Sequence, residues 1–115
     1  MANAKEELLY HLKSLEKIRG RLIPIKCATI TKGREYWEEV EKNVVNLKEG
    51  YTPEEYEEFL SKLDYEYDNG YGGQELYGTV WLMEEGSWYE RGEYDGSEWW
   101  EYKRCPSIPN ELKAN

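Results

Sequence analysis

Leu8, Leu12, Leu15 and Ile18 recur at spacings of four, three and three residues. That rhythm lays one apolar stripe along a helix and predicts an amphipathic first element. Asn3 stands where its N-cap belongs, Glu6 follows as a capping box requires, and Gly20 supplies a stop. Residues 22–31, LIPIKCATIT, are rich in β-branched types and predict a strand, with Pro24 confining its start to an edge or to the entry of the sheet. Trp37, Val40, Val44 and Leu47 then fall three, four and three apart, which favours a helix over residues 34–48 ended by Gly50. Thr52-Pro53-Glu54-Glu55 is a strong helix start, with a cap, a proline at the first turn and a carboxylate at N3. Tyr56, Phe59, Leu60 and Leu63 form the apolar stripe behind it.

From Asp64 the period changes to two. Leu76, Val80 and Leu82 alternate with Tyr77, Thr79, Trp81 and Met83, and Glu85-Gly86-Ser87 turns the chain. A second strand runs from Trp88 to Tyr94 and a third from Ser97 to Arg104. Asp95-Gly96 between them suits a type I′ hairpin, which needs positive φ at both central positions. A two-residue loop there pairs Tyr94 with Ser97, Glu93 with Glu98, Gly92 with Trp99, Arg91 with Trp100 and Tyr89 with Tyr102. One face of the hairpin then carries Tyr89, Arg91, Trp100 and Tyr102, and the other Trp88, Trp99 and the opposed pair Glu90 and Glu101. An antiparallel sheet under one layer of helices buries one face only, so one aromatic set is expected at the surface. The packing of Trp99 over Gly92 suggests Trp99 inside, and a cation–π contact of Arg91 with Trp100 suggests the wet face.

These elements give an α+β fold: two to three helices packed on a four- to five-stranded antiparallel sheet with a C-terminal β-meander. Length allows one domain over residues 1–115. Within it 1–63 reads as mainly helical with one strand, 64–105 as an antiparallel meander and 106–115 as an irregular tail.

Composition changes the picture in two respects. Aromatic residues make up 15% of the chain, with eleven Tyr and five Trp against one Phe. The net charge is −9, with residues 1–33 at +4 and residues 34–115 at −13. Such a field repels nucleic acid and anionic membranes and attracts basic partners. The basic residues Lys13, Lys17, Arg19 and Arg21 follow helix-end logic, so neither direct nucleic-acid binding nor membrane binding is expected. No apolar run spans a bilayer, and the charged N-terminus does not read as a signal peptide. Cys27 and Cys105 are too few for a disulfide scaffold, which places the expectation on reduced thiols and a cytoplasmic location.

Catalytic chemistry is hard to assemble. His11 is the single histidine, and the carboxylates are so abundant that a pair carries no information. The chain is therefore read as no enzyme and as needing no cofactor. One metal pattern stands out. Asp64, Glu66, Asp68 and Glu75 occupy positions 1, 3, 5 and 12 of DYEYDNGYGGQE, as in a calcium loop of the EF-hand type. Asn69 replaces the sharp-turn glycine, and a strand follows where a helix belongs. A strand over 64–67 ending in an Asn69-Gly70 turn is the competing reading, and the departures favour it.

The strongest functional signal is the interleaving of aromatics with carboxylates. Tyrosine gives contact area at low entropic cost, and carboxylates steer a basic partner. The expected partner-binding residues are Tyr65, Tyr67, Tyr89, Arg91, Glu93, Asp95, Glu98, Trp100 and Tyr102. In its size, its acidity and the cassette RGEYDGSEWWEY (residues 91–102), the chain resembles small acidic accessory proteins of bacteriophages and mobile elements. Several of these inhibit host nucleic-acid enzymes, some by mimicking DNA charge. The resemblance implies a protein-binding inhibitor that occupies the basic groove of a nucleic-acid-processing enzyme. The alternative is a small-ligand or calcium-binding module that uses the aromatic sheet face or the Asp64–Glu75 loop.

Overall fold

The computed structural model describes residues 2–33, 44–67 and 73–114. It is α+β. A two-residue strand β1 (Ala2–Asn3) leads into α1 (Ala4–Arg19), followed by β2 (Ile25–Lys32), β3 (Val44–Leu47), α2 (Pro53–Lys62), β4 (Glu66–Tyr67), β5 (Leu76–Leu82), β6 (Ser87–Tyr94) and β7 (Ser97–Arg104). The main sheet is antiparallel, in the order β3-β2-β5-β6-β7, and its last three strands form a meander. A second, two-stranded sheet joins β1 to β4.

Local chemistry fixes the helix ends. The Asn3 side chain accepts the Glu6 amide at 3.0 Å, and Gly20 closes α1 in the left-handed region at φ 73°. Both halves of the Thr52–Glu55 capping box are made. The Asp95-Gly96 turn has positive φ at both residues, 51° and 86°, and the hairpin register is the one read from the sequence.

Both helices lie on one face of the sheet. Leu8, Leu12 and Leu15 of α1 meet Phe59, Leu60 and Leu63, together with Ile25, Ala28, Ile30, Val45, Leu47, Val80 and Leu82 of the sheet. Burying each such aliphatic side chain contributes about 1.5–3 kcal/mol. Tyr67 and Tyr89 also lie in the interior, where their hydroxyls find partners. Gly78, at φ 145°, lets β5 approach β2 so closely that a Cβ would stand 2.2 Å from the Thr29 carbonyl oxygen.

Three expectations are corrected. Residues 44–47 are a strand, because Val45 and Leu47 alternate inward beside Ile30 and Ala28; residues 34–43, with Trp37 and Val40, lie outside the described residues. The described part of the first 63 residues accordingly contains three strands rather than one. Ile18 is not core: α1 outruns its cover and leaves that side chain 73% exposed. No helix among the described residues is long and apolar enough to cross a membrane.

Candidate functional site

The five-stranded sheet presents its second face to solvent, and no described helix covers it. The face follows from alternation. Leu76, Val80 and Leu82 point inward, so Tyr77, Thr79, Trp81 and Met83 point outward. Cross-strand register carries the assignment across the sheet. Cys27, Trp81, Trp88 and Lys103 form one outer row, and Thr29, Thr79, Glu90 and Glu101 form the next. Trp99 lies opposite Gly92 in a third.

Three tryptophans therefore share this face. Trp81 is 41% exposed, Trp99 is 39% exposed, and Trp88 is half-buried between its neighbours. The Trp99 ring lies against the backbone of Gly92, where a Cβ would come within 2.7 Å of its Nε1. A side chain at position 92 would lift that ring, so glycine keeps the surface flat. The Trp88 indole donates to Glu90 at 3.2 Å, and Lys103 Nζ bonds the other oxygen of Glu90 at 2.8 Å. The Lys103 ammonium and then the Trp88 indole hold the Glu90 carboxyl below its ordinary range. Glu101, opposite Glu90 on β7, forms no ion pair among the described residues. The result is a flat aromatic platform with two carboxylates and one lysine.

The residues expected to bind a partner lie elsewhere. Tyr89, Arg91, Glu98 and Trp100 are buried on the inner face and Tyr67 is buried in β4, so the surface exposure expected of them is corrected. Trp100 is 3% exposed and Trp99 is the outer one, the reverse of the expectation. Tyr65 and Tyr102 are half-buried, and only Glu93 and Asp95, at the hairpin tip, are fully at the surface. The cation–π contact of Arg91 with Trp100 exists, with the guanidinium carbon 4.9 Å from the ring, but in the dry interior.

The inner set forms a polar network. Arg91 Nη1 bonds Glu7 at 2.7 Å, and its Nη2 bonds Glu98 at 2.6 Å and the Tyr67 hydroxyl at 2.9 Å. Tyr67 in turn donates to Glu7 at 2.5 Å. Glu98 also accepts the backbone amides of Glu75 and Leu76 at 2.6 and 2.9 Å, which ties the start of β5 to β7. Burial, reinforced by the bond to Glu7, holds the Tyr67 hydroxyl well above its ordinary range. Burial first, opposed by Arg91 and aided by Glu98 and Glu75, pushes Tyr65 up to about 12. A second cluster joins Arg19 Nε to Glu84 at 2.6 Å, with the Tyr102 hydroxyl donating to Glu84 and accepting from Arg19. Arg19 first, then Tyr102, hold the Glu84 carboxyl at about 2. These groups are bonded to one another and join helix to sheet.

Two described members of the calcium pattern are engaged with the N-terminus of the chain. Asp64 accepts a bond from the Asn3 side chain, and Glu66 sits in β4 opposite Asn3. Asp68 lies outside the described residues. No group of three or more His, Cys, Asp or Glu among the described residues is placed to hold a metal ion. Cys27 and Cys105 are both free thiols.

Sequence alternation groups Trp88, Trp99, Glu90 and Glu101 on one face of the hairpin but does not mark that face as the outer one, nor add Trp81 to it. The available signal was parity: once Val80 opposes Tyr89, Tyr89 and Trp100 must share the buried side with Leu82. Comparison with family models, curated proteins and solved structures finds no match to this chain.

Proposed function

We propose that the chain is a non-enzymatic protein-binding module, and that its uncovered sheet face docks on a basic protein surface such as the nucleic-acid-binding groove of an enzyme. One observation carries the reading: Trp81, Trp88 and Trp99 lie together on a face that no described helix covers. Folding gains little from rings left two-fifths exposed, whereas flat tryptophans with carboxylates beside them match the anchors of protein interfaces. Glu90 and Glu101 supply the charge that meets lysine and arginine on the partner, and the overall charge of −9 steers the encounter.

The test is affinity capture from a bacterial lysate at low and high salt, with wild type beside Trp81→Ala and Trp99→Ala. Wild type should retain a basic protein that each variant loses, each truncation costing about 2 kcal/mol of binding if it is a hot spot. Capture should weaken as salt shortens the Debye length below about 10 Å. Equal capture by wild type and both variants, with their folds intact, would remove the platform from the binding reaction. Capture indifferent to salt would remove charge steering.

A further inference from the structure

The free edge of β7 is a second surface, distinct from the tryptophan face. β7 is the last described strand of the sheet and, among the described residues, pairs only with β6. The two-residue turn makes Tyr94 and Ser97 a hydrogen-bonded pair, and bonding then alternates along the hairpin. The bond from the Cys105 amide to the Gly86 carbonyl, at 2.8 Å, agrees with that phase. The amides and carbonyls of Glu98, Trp100, Tyr102 and Arg104 consequently point away from β6. No described strand receives them.

An eight-residue edge of this kind templates a further strand unless its side chains forbid it. Lysine commonly performs that blocking, but Lys103 Nζ is engaged with Glu90 inside the chain. Beside it Glu101 stands opposite Glu90, a like-charge pair that costs stability and has one ammonium between two carboxylates. Lys103 is bonded to Glu90, so Glu101 has no ion pair of its own among the described residues.

We infer that β7 pairs antiparallel with β7 of a second copy of this chain, about a two-fold axis at Tyr102. A two-fold axis normal to the sheet keeps inner faces inner, so only residues of like parity can oppose one another. Centred on Glu101, the register sets carboxylate against carboxylate. Centred on Trp100, it sets Glu101 against the second copy's Trp99 and gives the charge no partner. Centred on Tyr102, it places Glu101 opposite the second copy's Lys103, and Lys103 opposite its Glu101. Trp100 then opposes Arg104. The outward amides and carbonyls of Trp100, Tyr102 and Arg104 fall in the hydrogen-bonded positions that this register needs.

The inner side of the same edge fits the same occupant. A cleft of about 360 Å³ opens between α1 and the β6–β7 hairpin, with Ile18, Arg19, Tyr89 and Tyr102 in its wall. Ile18 continues the apolar stripe of α1 yet is uncovered in the single chain. The axis at Tyr102 brings two such clefts, and two Ile18 side chains, to one junction. The outcome is a continuous ten-stranded sheet whose outer side carries both tryptophan platforms. This inference does not depend on the partner proposed above, because it rests on the backbone edge of β7 and its register, although the Glu101 and Lys103 side chains it pairs lie on the outer side.

The experiment is sedimentation equilibrium over a micromolar to high-micromolar concentration series. Wild type should show a monomer–dimer equilibrium. Glu101→Lys and Lys103→Glu each create two like-charge contacts and should weaken the dimer at least about tenfold, or about 1.4 kcal/mol. The double swap Glu101→Lys with Lys103→Glu should restore it, because each lysine again meets a glutamate. Ile18→Glu, at an exposed position, should also weaken the dimer while leaving the circular dichroism and melting temperature native. A wild type that stays monomeric throughout would overturn the inference. So would single charge variants that dimerise like wild type, or a folded double swap that does not recover. Should a charge variant fail to fold, a folded Ile18→Glu that dimerises like wild type would decide against it.

Discussion

Replacing Arg91 with methionine removes the one cation from a buried site that holds two carboxylates. The Arg91 side chain is 2% exposed and that of Glu98 is fully buried. In the variant Glu98 keeps the amides of Glu75 and Leu76, and Glu7 keeps the Tyr67 hydroxyl. Neither keeps a counter-charge. Leaving such charges uncompensated costs about 3–5 kcal/mol, against a total of roughly 6–17 kcal/mol for a domain of this length. Methionine recovers part of the packing against Trp100, so the lower half of that range is expected. Two features separate this account from simple loss of volume. Adding Glu98→Gln and Glu7→Gln to Arg91→Met should return most of the loss, since the buried charge disappears with its partner. The penalty of Arg91→Met alone should also shrink in acid, because burial without a cation raises a carboxyl's pKa until it takes up a proton. Urea unfolding of wild type, Arg91→Met and the triple variant at neutral pH and near pH 4 measures both. A penalty under about 1 kcal/mol for Arg91→Met, or one that the glutamine pair does not relieve, would refute the view that this network is a sealed, charge-balanced joint.

Two further outcomes follow from the fold. Trp100→Ala should cost about 3–5 kcal/mol, whereas Trp99→Ala should cost about 1 kcal/mol because its ring is half in water; equal melting-temperature losses would show that both faces are covered. Glu84, held at about 2, is a carboxyl whose folded pKa is depressed, so its stabilisation is fully present above about 4.5 and is lost as pH falls from there toward 2. The full linkage is roughly 3 kcal/mol, and because Arg19 is 28% exposed solvent screening lowers it to about 1–2 kcal/mol. Acid unfolding should therefore be shallower in Glu84→Gln than in wild type, and identical acid profiles would show the pair contributes nothing.

The features legible in the sequence are those set within a few residues of one another. The Asn3 cap, the Thr52–Glu55 box, the Gly20 stop and the whole β6–β7 register depend on short-range geometry, and the structure has each of them. The choice of buried face was not legible from the hairpin alone. Both of its faces carry rings, and the contacts that decide between them come from Val80 of β5 and from Glu7, His11 and Arg19 on the flank of α1. The segment VVNL failed for a related reason. Four residues satisfy a helical and a strand period equally well, and pairing with β2 decides. The Arg91–Trp100 contact was found but misplaced, because a cation–π pair reads as a surface device unless the two carboxylates that permit its burial are seen with it.

That misplacement points to how the two faces are divided. The inner face buries Arg91, Glu98 and Glu84, while the outer face shows Trp81, Trp88 and Trp99 to water. For folding alone the arrangement is costly on both sides. Desolvating Arg91 and Glu98 is barely repaid by their pairing, and the buried Arg91 Nε and Trp100 Nε1 find no hydrogen-bond partner among the described residues, at about 1–3 kcal/mol each. The exposed rings forgo burial that could have offset this. Exchanging polar for apolar inside and apolar for polar outside would yield a more stable sheet that no longer carried a flat aromatic surface. What the inner network adds is orientation. It joins α1, β4, β5, β6 and β7 through directional bonds that an apolar contact would not supply. β6 and β7 are the strands that hold Trp88, Glu90, Trp99 and Glu101 in register on the other side, so rigidity of the buried joint passes directly into the geometry of the proposed docking face. Loosening Arg91 should therefore blur the outer platform even in a variant that remains folded.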